Sequence, residues 1–501
     1  MQSNSAVDID NTSVISDALR WRILVVILAA ISMSLISVSI VNVALPAIQQ
    51  GLDATDSSLQ WVLSGYALTF GVVLVAAGRA GDILGRGGLF LFGVLIFTLA
   101  SIASGLAPNS TALNIARFIQ GVGSGFLNPQ GLGMIQQYFR GAERAKAFGY
   151  FGSMVGVSVG IGPVLGGLLI KAAGPDIGWR LTFLVNVPFG IFTLIMGYLW
   201  FPKPLIRLGG DMTKSRLYRL KTLFTSLDPI GSLLLGLAVF TILFPFMEAR
   251  SQVLTWLLLP LGLLLVVAWV QWEKYFKAKG CTPMVDLNIF KTRSFTNGTT
   301  IMSLYFMGMT SIWVLVTLYM QLGIGKSAFE ASLIGVPSAF ISAIAAYIAG
   351  RLVINYGRRV VIGGLMLGVF GIILSMSVVW FNYNTGLSIW WLLASLAFVG
   401  MAQGSVVSPN QALTLAEVPL QYAGSSGAIM QTGQRMGTSV GIAMITAAVF
   451  TLLSSTNWGI AVTAGFILIA IIMILALVIA IKDWRDRGEL SQYQKKSSQQ
   501  H

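Results

Sequence analysis

The chain has 501 residues, of which 55% are hydrophobic and only 10% are charged. Soluble domains carry about 25% charged residues, so this composition excludes an ordinary soluble enzyme and indicates a polytopic membrane protein. The single Cys281 excludes an internal disulfide framework, and the single His501 leaves no histidine cluster for a metal or a cofactor. The net charge of +14 does not indicate nucleic-acid binding, because the basic residues lie between apolar runs rather than on one soluble face.

A helix of about 20 apolar residues crosses a bilayer, and on that measure the chain contains fourteen spans. They lie near residues 21–45, 59–77, 89–107, 112–136, 147–170, 181–201, 229–247, 254–272, 297–320, 331–350, 360–380, 388–410, 425–453 and 459–481. The first is too long for the core of a signal peptide. The sequence therefore predicts an all-α polytopic membrane protein.

The spans group as six, two and six. The predicted segments are a tail (1–20), a six-helix bundle (21–201), a basic linker (202–227), an inserted two-helix hairpin (228–272), a loop (273–296), a second six-helix bundle (297–481) and a tail (482–501). Of the 32 lysines and arginines, 26 lie in the tails and loops on the side of the N-terminus. Because basic loops stay in the cytoplasm, we expect a multi-pass protein of the plasma membrane with both termini cytoplasmic.

Residues 203–221 of the linker carry six basic residues with apolar and aromatic residues between them. Such a segment binds anionic lipid headgroups when it lies along the inner leaflet. A basic loop that is simply retained in the cytoplasm explains the same composition equally well. Both interpretations stay open.

A short polar stretch between spans two and three contains Gly78, Asp82, Gly85 and Arg86. Two arginines and an aspartate are expensive in hydrocarbon, so the stretch must lie in water or among headgroups. Its glycines allow a tight turn and a close approach of two helix ends. The pattern resembles the gating loop of the major facilitator superfamily, of the form Gly-x-x-x-Asp-x-x-Gly-Arg. A plain interhelical turn is the alternative.

The same glycine and arginine pattern recurs 272 residues later, at Gly350-Arg351 and Gly357-Arg358. The position of Asp82 is taken there by Ile354, so the two loops differ in chemistry. The repeat pairs span two with span ten, which predicts parallel six-helix repeats of the kind found in major facilitators.

Arg117 lies inside span four, where a buried arginine is costly unless it is paired or hydrated. The string Arg117-Phe118-Ile119-Gln120-Gly121 resembles the fourth-helix motif of the superfamily, whose arginine is implicated in coupling in proton-coupled relatives. An arginine that only ties helices together is the alternative. In span thirteen, Gln431, Gln434 and Arg435 provide a second deep polar group.

Span five ends in Gly162, Pro163, Gly166 and Gly167. Small residues allow close helix packing and proline kinks a helix. The ending resembles the fifth-helix motif of exporters in this superfamily, with generic small-residue packing as the alternative. With the fourteen spans, these strings resemble the fourteen-helix drug:proton antiporter family, for which a monomer is the expected state.

The chain departs from that family at Ser37, where members commonly carry an aspartate in span one. We expect no acidic residue deep in any span, so the deep ionisable groups are Arg117 and Arg435. The expected cavity is neutral-polar and positive, which favours neutral or anionic amphipaths. Its candidate lining residues are Ser37, Asn42, Tyr66, Asn128, Gln403 and Asn410.

The leading hypothesis is a secondary active exporter of amphipathic small molecules that works by alternating access with proton coupling. The missing carboxylate in span one favours a second hypothesis, a facilitator or lipid-linked substrate transporter without strict proton coupling. A sensor or scaffold that transports nothing is a third. No phosphate-binding loop is present in the sequence, so direct ATP hydrolysis is not supported.

Overall fold

A computed structural model describes residues 16–206, 227–247 and 253–498 of the chain. This part of the chain contains fourteen long helices. They are α1 Asp17–Leu52, α2 Asp56–Leu84, α3 Arg86–Gly105, α4 Ser110–Tyr138, α5 Gly141–Leu184, α6 Asn186–Trp200, α7 Pro229–Met247, α8 Leu258–Ala278, α9 Arg293–Leu318, α10 Gly335–Tyr356, α11 Arg358–Thr385, α12 Leu392–Thr414, α13 Ala423–Leu453 and α14 Trp458–Ser498.

Thirteen helices in the described ranges are long and apolar enough to cross a membrane. The fourteenth, α4, is as long as α2 at 29 residues but more polar, since it carries Arg117 and Gln120. Helices are the expected solution, because every backbone polar group in hydrocarbon must find its hydrogen bond within the protein. The predicted all-α membrane fold is confirmed.

The helix boundaries follow local chemistry. The side chains of Thr55 and Asn109 accept hydrogen bonds from the first turns of α2 and α4. Gly85, with φ of 105°, ends α2 and permits α3 to begin at the next residue. A second break falls at Gly174, with φ of 77°, where α5 stops being continuous. The sixth crossing therefore begins near Asp176, earlier than the predicted span at 181–201.

Helices α1–α6 form one bundle and helices α9–α14 form another. In the first bundle α1 packs on α5 and α6, α3 packs on α4 and α6, and α2 packs on α4. The same five pairs recur in the second bundle between helices whose numbers are higher by eight. This agreement is the structural form of the internal repeat that the sequence predicts.

Two further helix pairs join the bundles, α2 with α13 and α5 with α10, and they too are equivalent under the repeat. The inserted helices α7 and α8 pack on each other, and α7 also packs on α2 and α13. We call basal the end of the molecule where α1 begins and α14 ends, and apical the opposite end. The basic linker segment 203–221 falls largely at residues 207–226, outside the described residues.

Candidate functional site

The basal end is closed by the turn between α2 and α3, which reaches across to the other bundle. The Oδ1 atom of Asp82 accepts a hydrogen bond from the backbone amide of Gly424 at 2.8 Å, and Oδ2 accepts one from Ser425 at 2.9 Å. These amides belong to the first turn of α13, where the helix dipole favours a negative charge. Asp82 therefore caps a helix of the opposite bundle.

Arg86 completes this contact from the same turn. Its Nη2 atom donates to Asp82 Oδ1 at 2.8 Å and to the carbonyl of Leu420 at 2.6 Å, just before α13. Its Nη1 atom donates to Gln137 at 2.8 Å, at the end of α4. The aspartate and the arginine are both almost fully buried. Charged hydrogen bonds in such a setting are stronger than neutral ones, so this pair stabilises the closed basal end.

Gly78 explains how the two bundles come so close. A Cβ atom at Gly78 would lie 2.7 Å from the carbonyl oxygen of Gly424 and 2.9 Å from the Cβ of Ala428. Any side chain there would separate α2 from α13. The four residues of the predicted gating loop thus lie together at one contact between the bundles, and we call this contact the basal gate.

Other hydrogen bonds join the bundles near the basal gate. Gln136 Nε2 donates to the carbonyl of Leu415 at 2.9 Å, and the hydroxyl of Ser408 donates to the carbonyl of Phe148. The segment that precedes α13 is also attached to the loop after α8, since the Tyr422 hydroxyl lies 3.3 Å from Asp286 Oδ2. The described structure is therefore closed at its basal end.

Asp286 carries an ion pair with Lys277 at 2.8 Å. Burial alone would raise the pKa of this carboxyl. The hydrogen bonds from Lys277, from the amide of Asn288 and from Tyr422 outweigh burial, so the pKa lies below its ordinary value. The carboxylate is thus charged at neutral pH and holds Tyr422 in place.

Arg117 is fully buried inside the first bundle and meets only neutral groups. Its Nε atom donates to the carbonyl of Val62 at 2.8 Å. Its Nη1 atom donates to Gln120 Oε1 at 2.6 Å and to Ser37 Oγ at 3.3 Å. Gln120 in turn donates to Ser37 at 3.2 Å and to Ser101 at 2.7 Å. Ser37, where the resemblance leads one to expect an aspartate, therefore contacts the arginine.

Tyr66 covers this arginine on the side of the second bundle. The Arg117 guanidinium lies 4.5 Å from the centre of the Tyr66 ring, a cation–π distance. The Tyr66 hydroxyl lies 2.6 Å from Ser124 Oγ and 2.9 Å from Ser34 Oγ. Asn128, which is half-buried, donates to Ser34 at 3.4 Å. These contacts extend the polar network from Arg117 along α4.

Arg435 of the second bundle approaches the same aromatic surface. Its guanidinium lies 4.6 Å from the centre of the Phe70 ring, and Phe70 lies beside Tyr66, with ring centres 6.1 Å apart. The order Arg117, Tyr66, Phe70, Arg435 thus links the two bundles. Among the residues that the structure describes, Arg435 has no hydrogen bond and no ion pair to a protein group. Its charge remains available to a ligand.

The other candidate residues divide by exposure. Asn42 is exposed near the apical end of α1, and its amide donates only to the carbonyl of Val38 at 3.4 Å. Gln403 and Gln434 are half-buried, and Gln431 is 9% exposed. Ser37 and Gln120 have no exposed surface. Both are hydrogen-bonded to Arg117.

Asn410 does not line a cavity, in contrast to the expectation from the sequence. It is fully buried at the basal end of α12, accepts a hydrogen bond from Arg358 and donates to the carbonyl of Gly298 at 2.8 Å. Arg358 also pairs with Asp483 at 2.7 Å, and Asp483 accepts from Asn297 at 2.7 Å. The residue is part of an ionic cluster within the second bundle, because α12 turns that face inward.

The exporter-type residues of α5 contact α1 rather than the other bundle. A Cβ atom at Gly162 would lie 1.9 Å from the Ser39 hydroxyl, and one at Gly166 would lie 2.8 Å from Ile40. Pro163, between them, lies in the same stretch of α5. Gly167 has no atom within 4 Å of that position. The stretch therefore packs α5 tightly against α1.

The comparison with known protein families agrees with the geometry. The sequence pattern of the Major Facilitator Superfamily matches residues 27–272, 210–442 and 298–498, which together include most of the chain. The chain belongs to the Major Facilitator Superfamily. Like the other members of this family it is a multi-pass membrane transporter and not an enzyme.

Three relatives are similar to this chain over most of its length. A probable actinorhodin transporter of Streptomyces coelicolor is 30% identical, over 87% of this chain and 74% of its own. The riboflavin transporter RibZ of Clostridioides difficile is 27% identical, over 85% and 87%. The puromycin resistance protein pur8 of Streptomyces alboniger is 30% identical, over 86% and 82%.

A solved major facilitator has the same fold. The proton:xylose symporter XylE superposes with a TM-score of 0.62 at 14% identity, over 93% of this chain and 96% of its own. At that identity the likeness concerns the fold alone. The recognition of a multidrug-exporter-like major facilitator from its sequence strings is confirmed.

Sequence reasoning missed three buried carboxylates: Asp228 and Glu273 are each 1% exposed, and Asp483, the partner of Arg358, is fully buried. The sequence expectation ended the eighth span at 272, but α8 continues to Ala278 and carries Glu273 into the packed interior. Asp228 is the first residue of the predicted hairpin (228–272), at the end of a span, where the sequence predicts no burial. The signal that could have found Glu273 is the pair of tryptophans, Trp269 and Trp272, that precede it on the same helix.

Proposed function

We propose that this protein exports amphipathic small molecules across the plasma membrane by alternating access and that a proton gradient drives the export. The basal end is then cytoplasmic, as the 26 basic residues on that side favour. The observation that carries the proposal is the basal gate, in which Asp82 caps a helix of the opposite bundle. A contact made and broken between two bundles is what alternating access requires.

The direction of transport has independent support. The stretch with Gly162 and Pro163 resembles the exporter motif, and in this structure it seals α5 against α1. One of the relatives is named as a resistance protein. Resistance to a compound follows when a transporter removes it from the cell.

The charge of the site favours neutral or anionic substrates. Arg117 and Arg435 flank the aromatic pair of Tyr66 and Phe70, and no carboxylate contacts either arginine within the described residues. An aromatic surface binds apolar rings, and an unpaired guanidinium attracts an anion. A lipophilic cation would have no counter-ion at this place.

One observation favours the second hypothesis of a facilitator without strict proton coupling. Arg117 contacts Ser37 and Gln120, and neither side chain can exchange a proton near neutral pH. If this site alone had to couple transport to protons, it would lack the group that titrates. The two hypotheses therefore differ in whether efflux responds to the proton gradient.

The test is efflux of cationic, neutral and anionic dyes from cells that express the protein, with and without a protonophore. We expect extrusion of neutral and anionic dyes that the protonophore abolishes. Extrusion that survives the protonophore would support the facilitator instead. If no dye is extruded, export of this broad class is wrong and the protein has a dedicated substrate.

A further inference from the structure

The basal ends of the inserted helices α7 and α8 hold two carboxylates that the basal gate and the central site do not use. Asp228 precedes α7, and its Oδ1 atom accepts hydrogen bonds from the amide of Gly231 at 3.0 Å and from the indole of Trp272 at 2.9 Å. Its Oδ2 atom is buried and has no hydrogen-bond partner among the described residues. One of the two carboxylate oxygens therefore lacks a hydrogen bond from the described residues.

Glu273 is less satisfied still. Both of its carboxylate oxygens are buried, and neither has a hydrogen-bond partner of good geometry in the described part of the chain. The indole of Trp269 and the amides of Met284 and Val285 are its nearest potential donors. Met284 and Val285 have no exposed surface and cover the carboxyl from the loop after α8. A fully charged glutamate without partners at such a position costs several kcal/mol.

Among the described residues, the charges around the pair leave a deficit of one positive charge. Arg79 of α2 is buried and near enough to interact with the charges of Asp228, Glu273 and Asp82, although no ion pair within 4.0 Å forms between Arg79 and the described carboxylates. Arg86 neutralises Asp82. Two guanidiniums thus face three carboxylates, and one bound proton makes the cluster neutral.

The other titratable groups near the cluster do not supply that charge. Tyr422, ahead of α13, is a neutral phenol at physiological pH. Lys277 is already paired with Asp286. Lys274, the neighbour of Glu273 on α8, is exposed and points away from the buried side. Because no further cation faces the pair among the described residues, we take a proton from the solvent as the source of positive charge.

We propose that Glu273 and Asp228 together bind one proton while the basal gate is closed and release it to the cytoplasm when the gate opens. This inference rests on the proposed function and gives it a titratable site that the central cavity lacks. The proton is taken up and given up as a whole, with no other bond made or broken. Because the pair lies at the cytoplasmic end, it is the exit site of the proton in a cycle of export.

The contacts of the hairpin explain how gate and proton are linked. Helix α7 packs on α2 and α13, the two helices that the basal gate joins. Arg79 is three residues before Asp82 on α2, so it moves with the gate. Separation of α2 from α13 admits water to the pair, and water stabilises the charged carboxylates and lowers their affinity for the proton. This hydration outweighs the withdrawal of Arg79, which by itself would raise that affinity. By linkage, binding of the proton favours the closed gate to the same extent.

The test measures gate closure against pH in the purified full-length protein in lipid nanodiscs, without substrate. Spin labels on cysteines at Arg140 and Tyr356, two exposed basal positions in opposite bundles, report the distance across the gate. The native cysteine is removed by Cys281→Ser. Uptake of one proton on closure makes the closed-to-open ratio rise about tenfold for each unit that the pH falls through the titration range.

Glu273→Gln and Asp228→Asn keep the shape of each side chain and remove the titratable group. We expect each to abolish the pH dependence, whereas the control Glu330→Gln, in a half-buried apical ion pair with Lys326, leaves it intact. Two variants are used because either alone could fold poorly. A wild-type ratio that ignores pH, or variants with the wild-type slope, would overturn the inference.

The outcome is separate from that of the efflux test. A gate that titrates in nanodiscs while cells extrude no dye would leave the proton site standing and remove the proposed substrates. In the opposite case, a protonophore abolishes efflux but the gate does not titrate through this pair. The protein would then be a proton-coupled exporter whose proton binds at another site.

Discussion

The turn between α2 and α3 and the turn between α10 and α11 occupy equivalent places in the two bundles, yet their arginines bind in opposite directions. Arg86 contacts the second bundle, through Asp82 and the carbonyl of Leu420. Arg358 pairs with Asp483 and donates to Asn410, both in its own bundle. The arginine of the first turn bonds between the bundles, whereas the arginine of the second turn bonds within its bundle.

The difference comes from the residue four positions after the first glycine of each turn, which is Asp82 in the first turn and Ile354 in the second. Asp82 caps α13, whereas Ile354 in the same place of the second turn is 43% exposed and bonds to nothing across the interface. The second bundle therefore provides the amides and the first provides the carboxylate. Under the proposed mechanism, this one acidic residue makes the first turn a contact that opens and closes, whereas the second turn is a fixed support.

We expect the largest effect when the buried ion pair of the second turn is broken. Asp483→Ala leaves the buried guanidinium of Arg358 without its carboxylate, and loss of one partner of a buried pair costs about 3–5 kcal/mol. We expect a corresponding loss in the free energy of unfolding of the purified protein, measured by chemical denaturation in detergent. Helices α9, α11, α12 and α14 meet at this cluster, so the whole second bundle should be affected.

Asp486→Ala is the matched control, one turn further along α14. Its partner Arg293 is 47% exposed, and exposed pairs contribute only about 0–1 kcal/mol. Equal losses for Asp483→Ala and Asp486→Ala would show that the buried pair is not the support that the geometry indicates.

A change at the basal gate should alter the ratio of closed to open conformations rather than the free energy of unfolding. Asp82→Asn keeps the shape of the side chain but removes the charge that the α13 amides and Arg86 bind. Hydrogen bonds to charged groups contribute about 1.5–3 kcal/mol, so the closed-to-open ratio should fall by about one to two orders of magnitude. The spin-label distance across the basal gate measures it.

Ile354→Asn is the control at the equivalent place of the second turn. We expect it to leave the distance distribution as in the wild type, because no contact between the bundles involves that residue in the described structure. If both substitutions opened the gate equally, the difference between the turns would be an error of interpretation.

The sequence was sufficient for the features that depend on local patterns. Apolar length predicted fourteen crossings, and the recurring glycine and arginine turns predicted the repeat that the helix pairing shows. Gly78, Asp82, Gly85 and Arg86 were recognisable because a turn between two spans needs small residues and cannot hide its charges in lipid. Their partners on α13 lie 342 residues away and carry no signal of the contact.

The sequence was insufficient where the end of a span decides the environment of a charged residue. The eighth and fourteenth spans were ended at 272 and 481, just before Glu273 and Asp483, because hydropathy falls at a charge. Both helices continue, and neighbouring elements bury the two carboxylates. The direction of the Asn410 side chain was equally unreadable, since polar and apolar residues are spread around α12 and no apolar stripe marks its inner face.

The two deep arginines extend the same comparison and give the smallest expected effect. Arg117 has hydrogen bonds to Val62, Ser37 and Gln120, whereas Arg435 has none to described residues and meets Phe70. Arg435→Gln should therefore lower efflux of anionic dyes about tenfold, the weight of one charge at a few ångströms in a partly hydrated site, and spare neutral dyes. Arg117→Gln should lower efflux of every dye, because it disrupts the packing of the first bundle. Unchanged anion efflux in Arg435→Gln, with export of a cation preserved, would show that the charge of the second bundle does not select the substrate.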